Sequence, residues 1–186
     1  MSQIILASQS PRRKQLMEWA EVNFRIIVAN TDESFPKNLE PEEAAIHIAM
    51  EKARAVQQKA ADAIIVAADT MVVLNAEIIG KPADRDDAIN ILNKLSGHRH
   101  KVITGVAIIQ NEKSISFADS TDVEFYTLSQ GQIEFYVDNY KPYDKAGAYA
   151  IQEWIGVVGI KRINGDFYNV MGLPISRVVR EIQNFK

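Results

Sequence analysis

The sequence predicts one α/β domain with a mixed β-sheet and helices packed on it. Three observations point there. Apolar strand-like runs alternate with amphipathic helical segments along 186 residues, a length that suits one compact domain spanning 1–186. One run, Ala63-Ile64-Ile65-Val66-Ala67-Ala68, is apolar throughout, the pattern of a strand buried on both faces. Two further stretches read as antiparallel hairpins, so the sheet is mixed.

Taken in order, Gln3–Ala7 reads as a strand and Pro11–Ala20 as a helix with Leu16, Met17 and Ala20 on one stripe. Phe24–Val28 is a second strand, followed by a polar loop over Ala29–Leu39. A long helix opens at Pro41-Glu42-Glu43 and runs to about Gln58. After the apolar strand, Met71–Leu74 and Glu77–Ile79 form a short hairpin around Asn75-Ala76. Asp86–Leu95 is a helix closed by Ser96-Gly97, where glycine can turn left-handed. Lys101–Gln110 pairs with Lys113–Asp119, extending toward Glu124–Tyr126. Ser129 and Gln132 make a capping box for a helix to about Asn139. The tail reads as a strand over Val157–Asn164, a turn at Gly165-Asp166, and a helix over Pro174–Asn184.

Composition narrows the function classes. The formal net charge is −3, without the basic surplus of a general nucleic-acid binder. Cysteine is absent, which removes disulfides, thiol catalysis and cysteine metal sites. No apolar run approaches the roughly 20 residues needed to cross a bilayer. The opening Met1-Ser2-Gln3 has no basic leader pattern, so a soluble cytoplasmic protein is expected. The three histidines, His47, His98 and His100, lack metal-ligand spacing. Walker, GxGxxG and GxSxG fingerprints are all missing.

The strongest local signal is Leu6-Ala7-Ser8-Gln9-Ser10-Pro11-Arg12-Arg13-Lys14. Ser10 is a good cap, and Pro11 loses no hydrogen bond at a first helical position. Three cations in that turn oppose the helix dipole. Either they form a solvated basic face, or they join serine hydroxyls and free amides in an anion site. Asp69-Thr70 follows the apolar strand directly. Ligands collect beyond strand carboxyl ends in open α/β sheets, and a carboxylate there can hold a hard cation or take a proton from water. A turn or capping Asp is the alternative.

Lys52 lies in the apolar stripe of Ala45, Ile48, Ala49, Ala53 and Val56. It must snorkel outward or meet an anion. Lys81, between Gly80 and Pro82, sits in a stiff loop. Asp144-Lys145-Ala146-Gly147-Ala148-Tyr149 reads first as a surface turn, with Gln152 close behind offering the donor and acceptor that a nucleobase edge requires. Gly165–Asn169 and Gly172-Leu173-Pro174 read as turn chemistry, with Asp166 and Asn169 tying down backbone amides.

In this order, Leu6–Arg13, Ala68-Asp69-Thr70, Gly80-Lys81-Pro82, Leu95-Ser96-Gly97, Thr121-x-Val123-x-Phe125, the Asp144–Tyr149 segment, and Gly165-Asp166 through Gly172-Leu173-Pro174 resemble the Maf family of nucleotide pyrophosphatases. Glu33 and Glu51-Lys52-Ala53 fit as well. The resemblance covers nearly the whole chain. It implies an elongated mixed β-sheet with flanking helices and two lobes around a cleft, similar to inosine triphosphate pyrophosphatases. It implies hydrolysis of nucleoside triphosphates to monophosphate and pyrophosphate with Mg²⁺ or Mn²⁺, and a homodimer.

The Lys145 and Gln152 segment is similar to the branch acting on dTTP and UTP, with modified pyrimidine nucleotides as further candidates. On this resemblance Asp69 is the proton acceptor. With the charge of a triphosphate to be held, Asp69, Glu33, Lys52 and Lys81 are the expected catalytic group. Asp69 and Glu33 position a metal-linked water, with Asp69 as base or as ligand. Ser8, Ser10, Arg12, Arg13, Thr70, Lys145 and Gln152 contact the substrate, with Arg12, Thr70 and Gln152 tuning base choice. Ala150 and Glu153 depart from the branch, which commonly has glycine there. A pyrophosphatase for 7-methyl-GTP or another non-standard nucleotide, and a nucleotide-sensing regulator of cell division without turnover, are the alternatives. Neither nucleic acid nor membrane is an expected partner.

Overall fold

The structure, a computed structural model, describes residues 3–185. The opening Met1-Ser2 of the leader reading lies outside them. The elements are β1 (Ile4–Leu6), α1 (Pro11–Trp19), β2 (Phe24–Ile26), α2 (Pro41–Gln57), β3 (Ile64–Leu74), β4 (Glu77–Ile79), α3 (Arg85–Leu95), β5 (Arg99–Gln110), β6 (Lys113–Phe125), α4 (Gln130–Tyr140), α5 (Trp154–Gly159), β7 (Ile160–Asn164), α6 (Phe167–Met171) and α7 (Ile175–Gln183). The sheet has seven strands in the order β2-β1-β3-β5-β6-β7, with β4 paired to β3. β1 runs parallel to β2 and β3, while β3–β4 and β6–β7 are antiparallel. The mixed α/β expectation holds.

The chain divides into two compact units. One comprises the chain up to Thr70, Thr104–Asp119 and the chain from Gly172 onward; the other comprises Met71–Ile103 and Ser120–Met171. The core of the first is Ile5, Ala7, Ile65, Ala67, Ala107 and Ile109 from the sheet against Ala49, Ala53 and Val56 of α2. Small residues let α2 lie close on the strands. At Gly105 of β5 an added Cβ would stand 2.3 Å from the backbone carbon of Ala45. Only glycine leaves room for that contact.

In the second unit α3 and α4 pack against each other, with Leu92, Leu95, Ile133, Tyr136 and Val137 buried. Its capping box at Ser129 and Gln132 forms as expected, and Gly97 takes the left-handed conformation. Among the described residues no helix is long and apolar enough to cross a membrane.

Several expectations need correcting. Asp69-Thr70 do not end a strand, because β3 continues through Leu74. What ends there is the parallel pairing: β1 stops opposite Val66, so β3 outruns its neighbour before reaching Asp69. Lys113–Phe125 is one continuous strand, as the expected extension toward Glu124 implies. The strand expected over Val157–Asn164 splits into α5 and β7. Val157 and Val158 favour a strand, yet Gly156 sits so close to Ile151 that a Cβ would meet its carbonyl oxygen at 1.7 Å, and Gly159 packs on Leu128. Tertiary contact overrides local propensity here.

The turn region after Gly165 holds a short helix, α6. Asp166 accepts from the Tyr168 amide at 2.8 Å, as expected. Asn169 instead donates from Nδ2 to the Val102 carbonyl and the Thr121 hydroxyl, both at 3.0 Å.

Candidate active site

The turn between β1 and α1 is organised by its serines. Ser8 Oγ accepts from the Ser10 amide at 3.2 Å, and Ser10 caps α1 by accepting from the Arg13 amide at 3.5 Å. With Pro11 at the helix start, this fixes where the first helical turn points its side chains. Arg12 lies half-buried on that turn.

Each nitrogen of the Arg13 guanidinium donates one hydrogen bond to protein. Its Nε donates to the Gly172 carbonyl at 2.8 Å, one terminal nitrogen to Ser8 Oγ at 3.1 Å, and the other to Thr70 Oγ1 at 3.0 Å. The planar fork thus ties the β1–α1 turn, β3 and the segment before α7 together. Gly172, at φ +115°, takes a backbone conformation that side-chain-bearing residues rarely adopt. Thr70 Oγ1 also pairs with the Thr104 hydroxyl at 3.0 Å. Burial lowers the Arg13 pKa, opposed by Asp69. The guanidinium lies within electrostatic reach of Asp69, Arg12 and Glu33.

Lys52 met an anion. Its Nζ stands 2.7 Å from Asp69 Oδ1 and 2.8 Å from Glu33 Oε1. The Lys52 and Asp69 side chains are only 15% and 16% exposed, while Glu33 is 52% exposed. α2 carries the lysine on the edge of its packed stripe, β3 supplies Asp69, and the loop before α2 supplies Glu33. Two carboxylates around one ammonium leave a net negative charge. A hard divalent cation fits such oxygen donors if water and phosphate oxygens complete its shell. No group of three His, Cys, Asp or Glu residues able to hold a metal occurs among the described residues. A surface hollow of about 460 Å³ lies along another stripe of α2, bordered by Asp32, Ser34, His47, Glu51 and Arg54, and neither Lys52, Asp69 nor Glu33 lines it.

The remaining predicted residues belong to the second unit. Lys81 is exposed in the loop after β4. Lys145 is buried, with Nζ 2.8 Å from Asp144 Oδ1 and 3.7 Å from Glu153 Oε1. Gln152 is exposed on a turn closed by the Glu153 amide donating to the Ala150 carbonyl at 3.1 Å.

The model of the family described as Maf-like protein matches residues 3–185. The chain belongs to the Maf family. A relative from Cytophaga hutchinsonii named dTTP/UTP pyrophosphatase is 51% identical over 180 residues, 97% of this chain and 83% of the relative. Another of that name, from Parabacteroides distasonis, is 44% identical over 98% of this chain and 95% of its own. The solved structure of the Staphylococcus aureus Ham1 protein aligns over the whole of both chains with a TM-score of 0.54 at 17% identity, a likeness of fold.

Within this Maf chain, Ser8, Ser10, Arg13 and Thr70 form one bonded group and Glu33, Lys52 and Asp69 another, with Asp69 and Thr70 adjacent on β3. Sequence reasoning missed Thr104 and the carbonyl of Gly172 as partners in the Arg13 network. A single threonine inside the apolar Val102–Ile109 run was the available sign of the first. The second left none, since a backbone carbonyl has no side-chain signature.

Proposed function

We propose that this protein hydrolyses dTTP and UTP to the nucleoside monophosphate and pyrophosphate. The observation that carries the reading is the Lys52 ammonium held between Asp69 and Glu33, with Arg13 in electrostatic reach of both carboxylates. The names of relatives 44% and 51% identical to it support the substrate.

A triphosphate carries about four negative charges near neutral pH, so its turnover depends on clustered positive charge and positioning. Lys52 orients the Asp69 carboxylate through Oδ1. Asp69 takes a proton from the attacking water as its oxygen bonds to the α-phosphorus. The bond from that phosphorus to the bridging oxygen breaks, and pyrophosphate leaves with the electron pair. Arg12, Lys52 and Lys81 stabilise the phosphate charge. Ser8 and Ser10 line the phosphate turn, and Arg13 with Thr70 braces it. Asp69 and Glu33 would hold Mg²⁺ or Mn²⁺, which when bound supplies Lewis-acid stabilisation of the phosphate oxygens. Lys145 and Gln152 serve the base end of the same substrate. A homodimer in the cytoplasm completes this reading, on the family resemblance.

The test is a nucleoside triphosphate panel scored by pyrophosphate release with Mg²⁺ or Mn²⁺. UTP and dTTP should turn over best. A preference for 7-methyl-GTP, or tight binding without turnover, would replace the reading. Asp69→Asn should lower kcat at least about 100-fold in a folded protein, and a parental rate would remove Asp69 from its role.

A further inference from the structure

Tyr136 on α4 is among the largest fully buried side chains of the protein, and its hydroxyl sits at both ends of one turn. The oxygen accepts from the Ala150 amide at 3.1 Å, and the O–H donates to Glu153 Oε2. Ala150 and Glu153 are the first and last residues of the turn that presents Gln152. A phenol that grips both ends restrains the backbone between them. Gly156 adds a third restraint, because its α-carbon lies against the Ile151 carbonyl with no space for a Cβ.

The other oxygen of Glu153 faces Lys145, whose ammonium is already paired with Asp144. Lys145 is 9% exposed and Glu153 23% exposed, so neither rotates as a solvated surface group would. On the far side, the Gly147 amide donates to the Gly80 carbonyl at 3.0 Å, and Gly147 packs on Val72. The exposed Gln152 therefore stands on a stiff support. Gln152 can distinguish uracil or thymine from cytosine only through fixed hydrogen bonds. The bases differ at N3 and the 4-substituent by exchanging donor for acceptor, and a freely rotating amide would satisfy both.

Resting on the function proposed above, the geometry points to Tyr136 and Glu153 as positioning residues for base selection: they hold the Gln152 turn and Lys145 in register so that a pyrimidine with a 4-carbonyl is preferred over one with a 4-amino group. The glutamate that departs from the branch pattern is, on this reading, half of a clamp rather than an obstruction.

The experiment compares kcat/KM for UTP, dTTP and CTP in the parent, Tyr136→Phe and Glu153→Gln. Folding is checked by thermal unfolding. Tyr136→Phe keeps the ring and removes the hydroxyl from both ends of the turn. Glu153→Gln keeps an acceptor for Tyr136 but removes the charge facing Lys145. In each folded variant the UTP-to-CTP ratio should fall at least about fivefold, mainly through loss on UTP and dTTP. A general structural effect would lower all three substrates by one factor and leave the ratio alone, which overturns the inference. Should Tyr136→Phe not fold, Glu153→Gln decides by the same ratio. A parent that releases no pyrophosphate from UTP or dTTP defeats the proposed function itself, and that result is read before any variant is made.

Discussion

Lys52 shows how much one residue can reveal. Its place in the Ala45–Val56 stripe was visible in the sequence as a charge where an apolar side chain was due. Its partners were not visible, because Glu33 and Asp69 come from separate elements that only folding brings to within 2.8 Å. Removing the ammonium leaves Asp69, only 16% exposed, without its counter-charge. Lys52→Met should therefore cost about 1–3 kcal/mol of stability and raise KM for UTP at least about tenfold, as loss of a charged hydrogen bond to phosphate does. Steady-state kinetics and urea unfolding check both parts, and an unchanged KM would confine Lys52 to a structural ion pair. Arg13 teaches the converse. Its charge was visible in the sequence, and its bracing role was not: three of its donors end on Ser8, Thr70 and Gly172. Nothing in a helix-start arginine foretells partners in β3 and near the C-terminal helix.

At the scale of elements, the first helices and strands were legible because their periodicity was strong and their caps used standard chemistry. Ser10-Pro11 opening α1 and the Ser129–Gln132 box opening α4 both formed where expected. α5 was not legible: Val157 and Val158 favour extended backbone, and the reason for the helix is the close approach of Gly156 to Ile151. The seat of α2 depends on a similar glycine. Gly105 lets the helix backbone at Ala45 touch β5, and α2 carries Lys52. Gly105→Ala places a methyl carbon 2.3 Å from that backbone, so helix or strand must move. The expected cost is about 1–3 kcal/mol or more, read as a lower urea midpoint, with kcat/KM falling alongside as Lys52 shifts. A parental midpoint would mean that the helix is not seated by this contact.

Acid stability belongs to the whole molecule, since it reports the protons gained when the chain unfolds. His100 is buried beside Phe125 and Tyr149, with Nε2 2.7 Å from the Tyr149 hydroxyl and, among the described residues, no hydrogen-bond partner at Nδ1. Burial lowers its pKa from 6.5 to about 4. Between those values the unfolded chain takes up a proton that the native one refuses. Stability is therefore full above about pH 6.5 and declines as pH falls toward 4, by up to about 3 kcal/mol from this residue. Urea unfolding followed across that range should show the decline, and His100→Gln should flatten it. An equal slope in the variant would assign the acid sensitivity to other groups.

By itself the sequence determined the fold class and the family, because periodicity, caps and an ordered set of motifs are properties of the linear chain. It also marked Lys52 as an anomaly. The tertiary structure alone decided which charges meet: Lys52 with Glu33 and Asp69, Arg13 with Ser8, Thr70 and Gly172, Tyr136 with both ends of the Gln152 turn. The physical reason is range. Helix and strand signals act over a few residues, whereas a hydrogen bond such as that from Arg13 to Gly172 joins positions 159 apart and exists only once the sheet is assembled.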